Sequence, residues 1–245
     1  MPDLPLLQGP RNRECTLCSL HEGAGANRCI PLTLHPSCQS SAAMARDPLL
    51  LVGMNPGRAE MREDRPFVGP SGQLLDRVYL NASGLLSLTC VWLTNASRCW
   101  TPLTEQPKVS HRNACSRAWM PQDLAFLRTN HPSCHTLNVL CLGADAADTM
   151  LRLVRLTDKS FAKGSSPLSF LLKNQGTLTP ALPVPGHEGW VLRLWGTYHP
   201  AYLLREGGVQ MPAVSGHLSL LVHTLSGAVP VSTPPTLVPP FDPTP

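Results

Sequence analysis

The sequence has no long apolar run: none of its hydrophobic stretches approaches the ~18 residues that a membrane-spanning helix needs. Its first residues also lack a basic start followed by an apolar stretch, the pattern of a secretory signal. We therefore expect a cytoplasmic, reducing location and no membrane partner. In that compartment the nine cysteines are expected to be core residues, reactive thiols or metal ligands, not a disulfide framework.

Charged residues are also scarce, at 15% of the chain against 42% hydrophobic residues. This composition is typical of a globular protein, and 245 residues suffice for one sizeable domain with a buried core. The net charge of +4 is mildly basic. It is compatible with a nucleic-acid partner and equally with a slightly basic soluble enzyme, so the charge leaves both open.

Short apolar runs alternate with helix-like stretches after residue 47. Strands are predicted at 48–52, 91–93, 137–142 and 191–197, and helices at 70–84, 145–155 and 213–225. This alternation predicts an α/β fold whose parallel sheet is covered on both faces. One domain with a Cys-rich N-terminal segment is expected over 1–227. The Pro-rich residues 228–245 are predicted to form a disordered tail, and 156–189 has no clear pattern.

Polar residues follow three of the predicted strands. Asn55 lies in G-M-N-P-G after the first strand, Asn95 ends the second, and His199 closes the last. Ligands gather at the carboxyl ends of parallel strands, so these side chains are candidate site residues. Each also has a structural interpretation: Asn55 is equally suited to cap a helix, and Phe67, just before a predicted helix, is equally suited to the core.

The cysteines offer two sets of four thiols for a zinc ion or an iron–sulfur cluster. One set joins a C-x-x-C pair to two cysteines of a later loop: Cys15, Cys18, Cys99 and Cys115. The rival set is a local zinc knuckle: Cys15, Cys18, Cys29 and Cys38. Cys90 and Cys141 lie inside apolar strands and are expected to be ordinary buried thiols. Spacing alone leaves the set and the metal open.

Three segments resemble the signature segments of the family 4 uracil-DNA glycosylases, in the same order. They are DRPFVGPSGQLLD at 64–76, LTNASRC at 93–99 and TYHPAYLLR at 197–205. The resemblance extends from about Cys15 to Leu225. It implies a three-layer α/β/α fold with a central four-stranded, mostly parallel sheet. It also implies a four-iron, four-sulfur cluster, with zinc as the alternative, held by Cys15, Cys18, Cys99 and Cys115.

One segment departs from the family 4 pattern. The first motif of that family usually reads G-E-A-P-G, whereas this chain has G-M-N-P-G at 53–57. This motif is similar to that of the mismatch-specific and single-strand-selective branches, in which the asparagine positions the attacking water. The departure leaves hypoxanthine, xanthine or 5-substituted uracils open as further substrates.

The resemblance implies a role for each candidate residue around the base. Asn55 would orient the water, and His199 would donate a hydrogen bond to uracil O2 as negative charge develops there. Phe67 would stack on the flipped base, and Asn95 would read its edge. The backbone N–H groups of Gly53 and Met54 would add further contacts.

Two further groups are candidate DNA contacts. Leu203 and Leu204 would form an apolar wedge that fills the gap left by the flipped base, with Arg205 on a phosphate. The alternative is that the two leucines begin a buried helix. Three residues of the predicted loop between the later cysteines are candidate phosphate contacts: Lys108, His111 and Arg112.

The resemblance implies a monofunctional uracil-DNA glycosylase of base excision repair, which releases free uracil and leaves an abasic site. The alternatives are a glycosylase with a broader range of deaminated bases, a uracil-DNA binding protein with little turnover, and a zinc-stapled nucleotide-binding module. The expected partner is DNA containing uracil, and the protein is expected to be a monomer. The Pro-rich tail is a candidate contact for a replication or repair partner.

Overall fold

The computed structural model describes residues 7–23, 28–101, 106–154, 166–178 and 191–227. The tail predicted at 228–245 and most of the segment at 156–189 lie outside these residues. Within the described ranges, no helix combines the length and the apolar character that crossing a membrane requires.

One five-stranded sheet forms the centre of the molecule. Its strands are β1 (Thr33–Leu34), β2 (Pro48–Gly53), β3 (Cys90–Asn95), β4 (Thr136–Leu142) and β5 (Val191–Thr197). The strand order is β1-β3-β2-β4-β5, and every neighbouring pair is parallel except β1 and β3. The four predicted strands are confirmed, and the sheet has one strand more than expected. The extra strand, β1, pairs over two residues only, which is too short to produce an apolar pattern.

The register of the sheet brings the candidate residues to one edge. Gly53 pairs with Asn95 across β2 and β3, and Leu142 pairs with Thr197 across β4 and β5. The strands therefore end level with one another. β2 is buried along its whole length, as expected of a central parallel strand covered on both faces.

Helices flank the sheet, consistent with the three-layer α/β/α arrangement. In chain order they are α1 (Leu20–Gly23), α2 (Ser41–Met44), α3 (Arg58–Glu63), α4 (Pro70–Leu74), α5 (Leu85–Leu88), α6 (Val109–Asn130), α7 (Ala144–Leu153), α8 (Pro167–Lys173), α9 (Pro200–Arg205) and α10 (Met211–Ser226). A 3₁₀ turn covers Pro36–Cys38, and a π-helical segment, Leu75–Ala82, continues α4. Gly84, at φ 80°, follows this helical stretch, as the glycine stop predicted.

The 22-residue helix α6 was not predicted from the sequence, which was interpreted as a loop between Cys99 and Cys115. Pro121 lies inside the helix, and proline is normally a signal against helix interiors because it lacks the N–H donor. Cys115 therefore lies on a helix instead of in a loop. Cys90 and Cys141 are buried in the core, as expected.

Candidate active site

A solvent-open cleft of about 1200 Å³ lies at the carboxyl edge of the sheet. It brings together four residues that the sequence singled out: Asn55, Phe67, Asn95 and His199. Met54 and Arg205 also line it. Side chains that are far apart in the sequence thus face one space, because the strands that carry them end at the same edge.

Gly53, the last residue of β2, lets two of these side chains approach the backbone. A Cβ atom at this position would lie 2.4 Å from Asn95 Oδ1 and 2.7 Å from Phe67 Cζ. No side chain is compatible with that packing. The residue thus shapes the floor of the cleft, whereas the sequence had suggested only a backbone N–H contact.

Asn95 is 8% exposed at the end of β3. Among the residues that the structure describes, its side-chain amide has no hydrogen-bond partner. The amide faces the solvent-open cleft and is therefore available for a ligand there.

Phe67 is held beside His199 by an unusual backbone conformation. Its φ angle is 56°, in the left-handed region that non-glycine residues seldom occupy. Gly72 permits this arrangement, because a Cβ atom there would lie 1.8 Å from the carbonyl oxygen of Phe67. The two rings have centroids 6.4 Å apart at an interplanar angle of 31°.

Glu60, which the sequence analysis did not identify, ties the two loops of the cleft together. Its carboxylate accepts hydrogen bonds from the backbone N–H groups of Gly57 at 2.9 Å, Val68 at 3.0 Å and Gly69 at 2.8 Å. The side chain is 8% exposed, so these are buried, charge-assisted bonds. The loop after β2 is thereby fixed to the loop that carries Phe67.

His199 is held in one tautomer. Its Nδ1 atom accepts a hydrogen bond from the Ala201 N–H at 3.0 Å, so the proton of the neutral ring is on Nε2. Burial and, second, the charge of Arg205 lower the pKa of His199 to about 4. The ring is therefore neutral at neutral pH. The Tyr79 hydroxyl donates to the Tyr198 carbonyl at 2.7 Å and fixes the chain just before the histidine.

The wedge predicted from the sequence is corrected at one position. Leu203 is 2% exposed and packs in the core, which fits the buried-helix alternative and leaves no surface to insert into DNA. Leu204 is 36% exposed and Arg205 lines the cleft, so these two remain candidate DNA contacts.

The candidate phosphate contacts near the start of α6 also need correction. Arg112 is 6% exposed and forms an ion pair with Asp145 at 2.8 Å. Its side chain is therefore buried and not placed to contact a phosphate. His111 Nε2 lies 3.3 Å from Ser19 Oγ. Lys108 is exposed at the N-terminus of the helix and is still available to a phosphate.

A second pocket is lined by five cysteines: Cys15, Cys18, Cys29, Cys99 and Cys115. We call it the cysteine cavity. The four thiols expected to act together are all present in it. The rival set is wrong, because Cys38 lies in the core, where its Sγ accepts from the Val91 N–H at 3.2 Å. Cys29 is an addition that the sequence analysis placed only in the rival set.

Backbone donors point at two of these sulfurs. The Cys29 N–H donates to Cys99 Sγ at 3.4 Å, and the Arg98 N–H donates to Cys115 Sγ at 3.3 Å. Burial raises the pKa of Cys99 to about 11 and raises that of Cys115 as well. Both thiols are thus protonated at neutral pH unless a metal replaces their protons.

Two buried polar atoms beside the cysteine cavity have no hydrogen-bond partner in the part of the chain that the structure describes. They are Ser97 Oγ and the indole nitrogen of Trp119. Across the same ranges, no three His, Cys, Asp or Glu side chains are arranged to hold a single metal ion. The thiols instead line one pocket that polar donors also border.

The chain is similar in sequence to known uracil-DNA glycosylases. A type-4 uracil-DNA glycosylase of Pyrobaculum aerophilum is 28% identical over 170 residues, which cover 69% of this chain and 71% of that protein. One of Sulfurisphaera tokodaii is 37% identical over 68 residues, 28% of this chain and 30% of that protein. The family model of the uracil DNA glycosylase superfamily matches residues 42–214, which include Asn55, Asn95 and His199. The chain therefore belongs to the uracil DNA glycosylase superfamily.

Proposed function

We propose that this protein hydrolyses the N-glycosidic bond of uracil in DNA, releasing free uracil and leaving an abasic site without cutting the strand. The observation that carries the proposal is the convergence of Asn55, Phe67, Asn95 and His199 on one cleft in a member of this superfamily. Hydrolysis leaves positive charge on the sugar and negative charge on the departing base. The protein must stabilise both and place a water at the sugar carbon.

His199 is the candidate donor to the departing base. The neutral ring has its proton on Nε2, since Nδ1 accepts from Ala201. A hydrogen bond from Nε2 to uracil O2 strengthens as negative charge develops on the base. One such preorganised donor is worth about 3 kcal/mol, or ~10²–10³ in rate.

Asn55 is the candidate for holding the water. Its amide nitrogen donates to the Pro56 carbonyl at 3.1 Å, which leaves the amide oxygen to accept from a ligand. An amide is too weak a base to remove a proton from water, so its contribution is orientation of the nucleophile.

Asn95 and Phe67 are the candidates for selecting the base. The Asn95 amide would accept from uracil N3–H and donate to O4, a pattern opposite to that of cytosine. Its lack of a partner within the described residues supports this role. Phe67 would stack on the base, and the floor at Gly53 sets how deep the base enters.

DNA is the proposed partner. Leu204 would fill the gap left in the base stack, and Arg205, at the mouth of the cleft, would contact a phosphate. The expected monomer and the expected partner of the tail remain predictions.

We further propose that the cysteine cavity holds a four-iron, four-sulfur cluster on Cys15, Cys18, Cys99 and Cys115. The four cysteines line one pocket, yet within the described residues no three metal-ligating side chains are arranged for a single ion, which favours a cluster over a zinc ion with Zn–S bonds of about 2.3 Å. The backbone N–H groups on two sulfurs and the unpaired Ser97 and Trp119 donors suit anionic sulfur. Such a group would join the N-terminal segment to α6 and take no part in the hydrolysis.

Single-turnover excision from an oligonucleotide with one uracil tests the proposal. His199→Ala is expected to slow excision ~10²–10³-fold, and Asn55→Ala at least about tenfold. Matched controls at sites outside the cleft, His223→Ala and Asn130→Ala, should match the wild type. Tight binding of uracil DNA without release would instead favour a binding protein. Release from hypoxanthine or xanthine DNA at a similar rate would show a broader range of bases.

A further inference from the structure

We propose that Thr101 is a positioning residue that fixes the amide of Asn55, so that the amide oxygen and not the nitrogen faces the nucleophilic water. The inference rests on the proposed function, since it concerns the water-holding role of Asn55. It adds a residue that lies outside the segments singled out in the sequence.

The hydrogen bonds of Asn55 support this assignment. Its Nδ2 atom donates to the Pro56 carbonyl oxygen at 3.1 Å and to Thr101 Oγ1 at 3.1 Å. An amide nitrogen has two hydrogens, so both are used. Rotation of the amide by 180° would set its oxygen against the Pro56 carbonyl, which accepts only. The rotated orientation is therefore disfavoured.

The remaining atom of the amide is Oδ1. Among the described residues it has no hydrogen-bond partner, and Asn55 and Thr101 both line the cleft. A water bound there would donate to Oδ1 and present its lone pair to the sugar. The Pro56 carbonyl thus selects the orientation of the amide, and the Thr101 hydroxyl holds the amide in that orientation.

Thr101 is well placed to act as a fixed point. It is 6% exposed and follows β3 by six residues. The chain between is pinned to the loop of Asn55: Ala96 N–H donates to the Gly53 carbonyl and Ser97 N–H to the Met54 carbonyl, both at 2.9 Å. Cys99, two residues before Thr101, lies in the cysteine cavity. The Arg98 N–H donates to Cys115 Sγ at 3.3 Å, which also fixes this segment.

Two substitutions separate orientation from packing. Thr101→Val keeps the shape of the side chain and removes the hydroxyl, whereas Thr101→Ser keeps the hydroxyl and removes a methyl group. In single-turnover excision at saturating enzyme, Thr101→Val is expected to be about tenfold slower, the rate equivalent of one hydrogen bond. Thr101→Ser is expected to recover most of that rate, and both variants should bind uracil DNA with the wild-type Kd.

A double-mutant cycle provides the sharper readout. In an Asn55→Ala background, Thr101→Val is expected to have no further effect, because the group that it positions is gone. An equal loss in both backgrounds would show a structural role and overturn the inference. So would a Thr101→Val variant as fast as the wild type.

A second measurement does not depend on activity. The side-chain NH₂ signals of Asn55, identified by their loss in Asn55→Ala, are expected to exchange with solvent faster in Thr101→Val than in the wild type or Thr101→Ser. Unchanged exchange would overturn the inference even if the wild type excises uracil. A wild type that releases no uracil, with the exchange difference present, would instead reject the proposed function alone.

Discussion

One short segment, residues 95–101, contributes to both the cleft and the cysteine cavity. The two sites differ in how many of their polar groups have hydrogen-bond partners within the protein. In the cleft, the protein itself fixes most of the polar groups: His199 by the Ala201 N–H and Glu60 by three backbone donors. In the cysteine cavity, two buried thiols with raised pKa values lie beside two buried polar atoms that have no partner within the described residues.

This difference indicates what each site needs. The cleft is preorganised for a small ligand that arrives and leaves. Among the described residues, the Asn95 amide, Asn55 Oδ1 and the indole nitrogen of Trp100 have no partner there. If the proposed cluster is bound, it replaces the thiol protons of the cysteine cavity and accepts from the donors beside it. A substitution in the cleft should thus affect catalysis, whereas one in the cavity should affect cofactor content.

Among the substitutions that test this difference between the two sites, the largest effect is expected from Gly53→Ala. The new Cβ would collide with Asn95 Oδ1 and Phe67 Cζ, so both base-selecting side chains must move. We expect single-turnover excision to fall about 100-fold, since a shift of about 1 Å at a reacting centre costs that much. Gly216→Ala is the matched control, because a Cβ atom there meets nothing within 4 Å. A Gly53→Ala enzyme of wild-type rate would contradict the description of the cleft floor.

In the cysteine cavity, Cys99→Ser is expected to reduce bound iron to about a tenth of the wild-type content, because one ligand of four is lost. Cys141→Ala, a buried thiol in β4, should keep its iron. Iron per protein and absorbance near 400 nm measure this. Cys29→Ser is expected to retain its iron. If this variant loses iron, Cys29 is a ligand in place of one of the four proposed cysteines.

Glu60→Gln tests whether the Glu60 carboxylate holds the two loops of the cleft together. The amide would set an NH₂ group against backbone N–H donors, so the free energy of unfolding should fall by about 2 kcal/mol. Glu63→Gln, on the exposed side of the same helix, is the control. Urea unfolding measures both. If the free energy of unfolding falls equally in both variants, the buried carboxylate of Glu60 does not join the loops.

The smallest effect concerns the charge on His199. Its pKa of about 4 lies below the unfolded value of 6.5, so the unfolded chain binds the proton first. The contribution of the neutral ring to stability is thus complete above pH 6.5 and is lost as pH falls towards 4. Arg205→Met should raise the pKa by less than about one unit, and Arg62→Met should not change it. Titration of the ring by NMR measures the shift, and an equal pKa in both variants would remove Arg205 as a cause.

The sequence predicted the central sheet well, because buried parallel strands have continuous apolar sequences. Residues 48–52, 91–93, 137–142 and 191–197 all became strands, and the polar residues after them share an edge. The helix α6 was missed since Pro121 interrupts its signal, and Leu203 was misplaced because burial depends on neighbours distant in sequence.

Other features of the site leave no local pattern. In the sequence, Glu60 has the pattern of an ordinary helix residue, and its role is visible only in its contacts with Val68 and Gly69. Position 53 requires glycine because Asn95 packs against it in the folded structure. The pairing of Thr101 with Asn55 spans 46 positions. Such contacts follow from the assembled sheet and not from spacing.

The central claim is that the cleft performs hydrolysis of uracil from DNA. The most direct test is a single-turnover reaction of the wild type on an oligonucleotide with one uracil, followed by mass spectrometry of the products. The expected products are free uracil and an intact strand that carries one abasic site. Absence of free uracil, or cleavage of the strand, would contradict the claim.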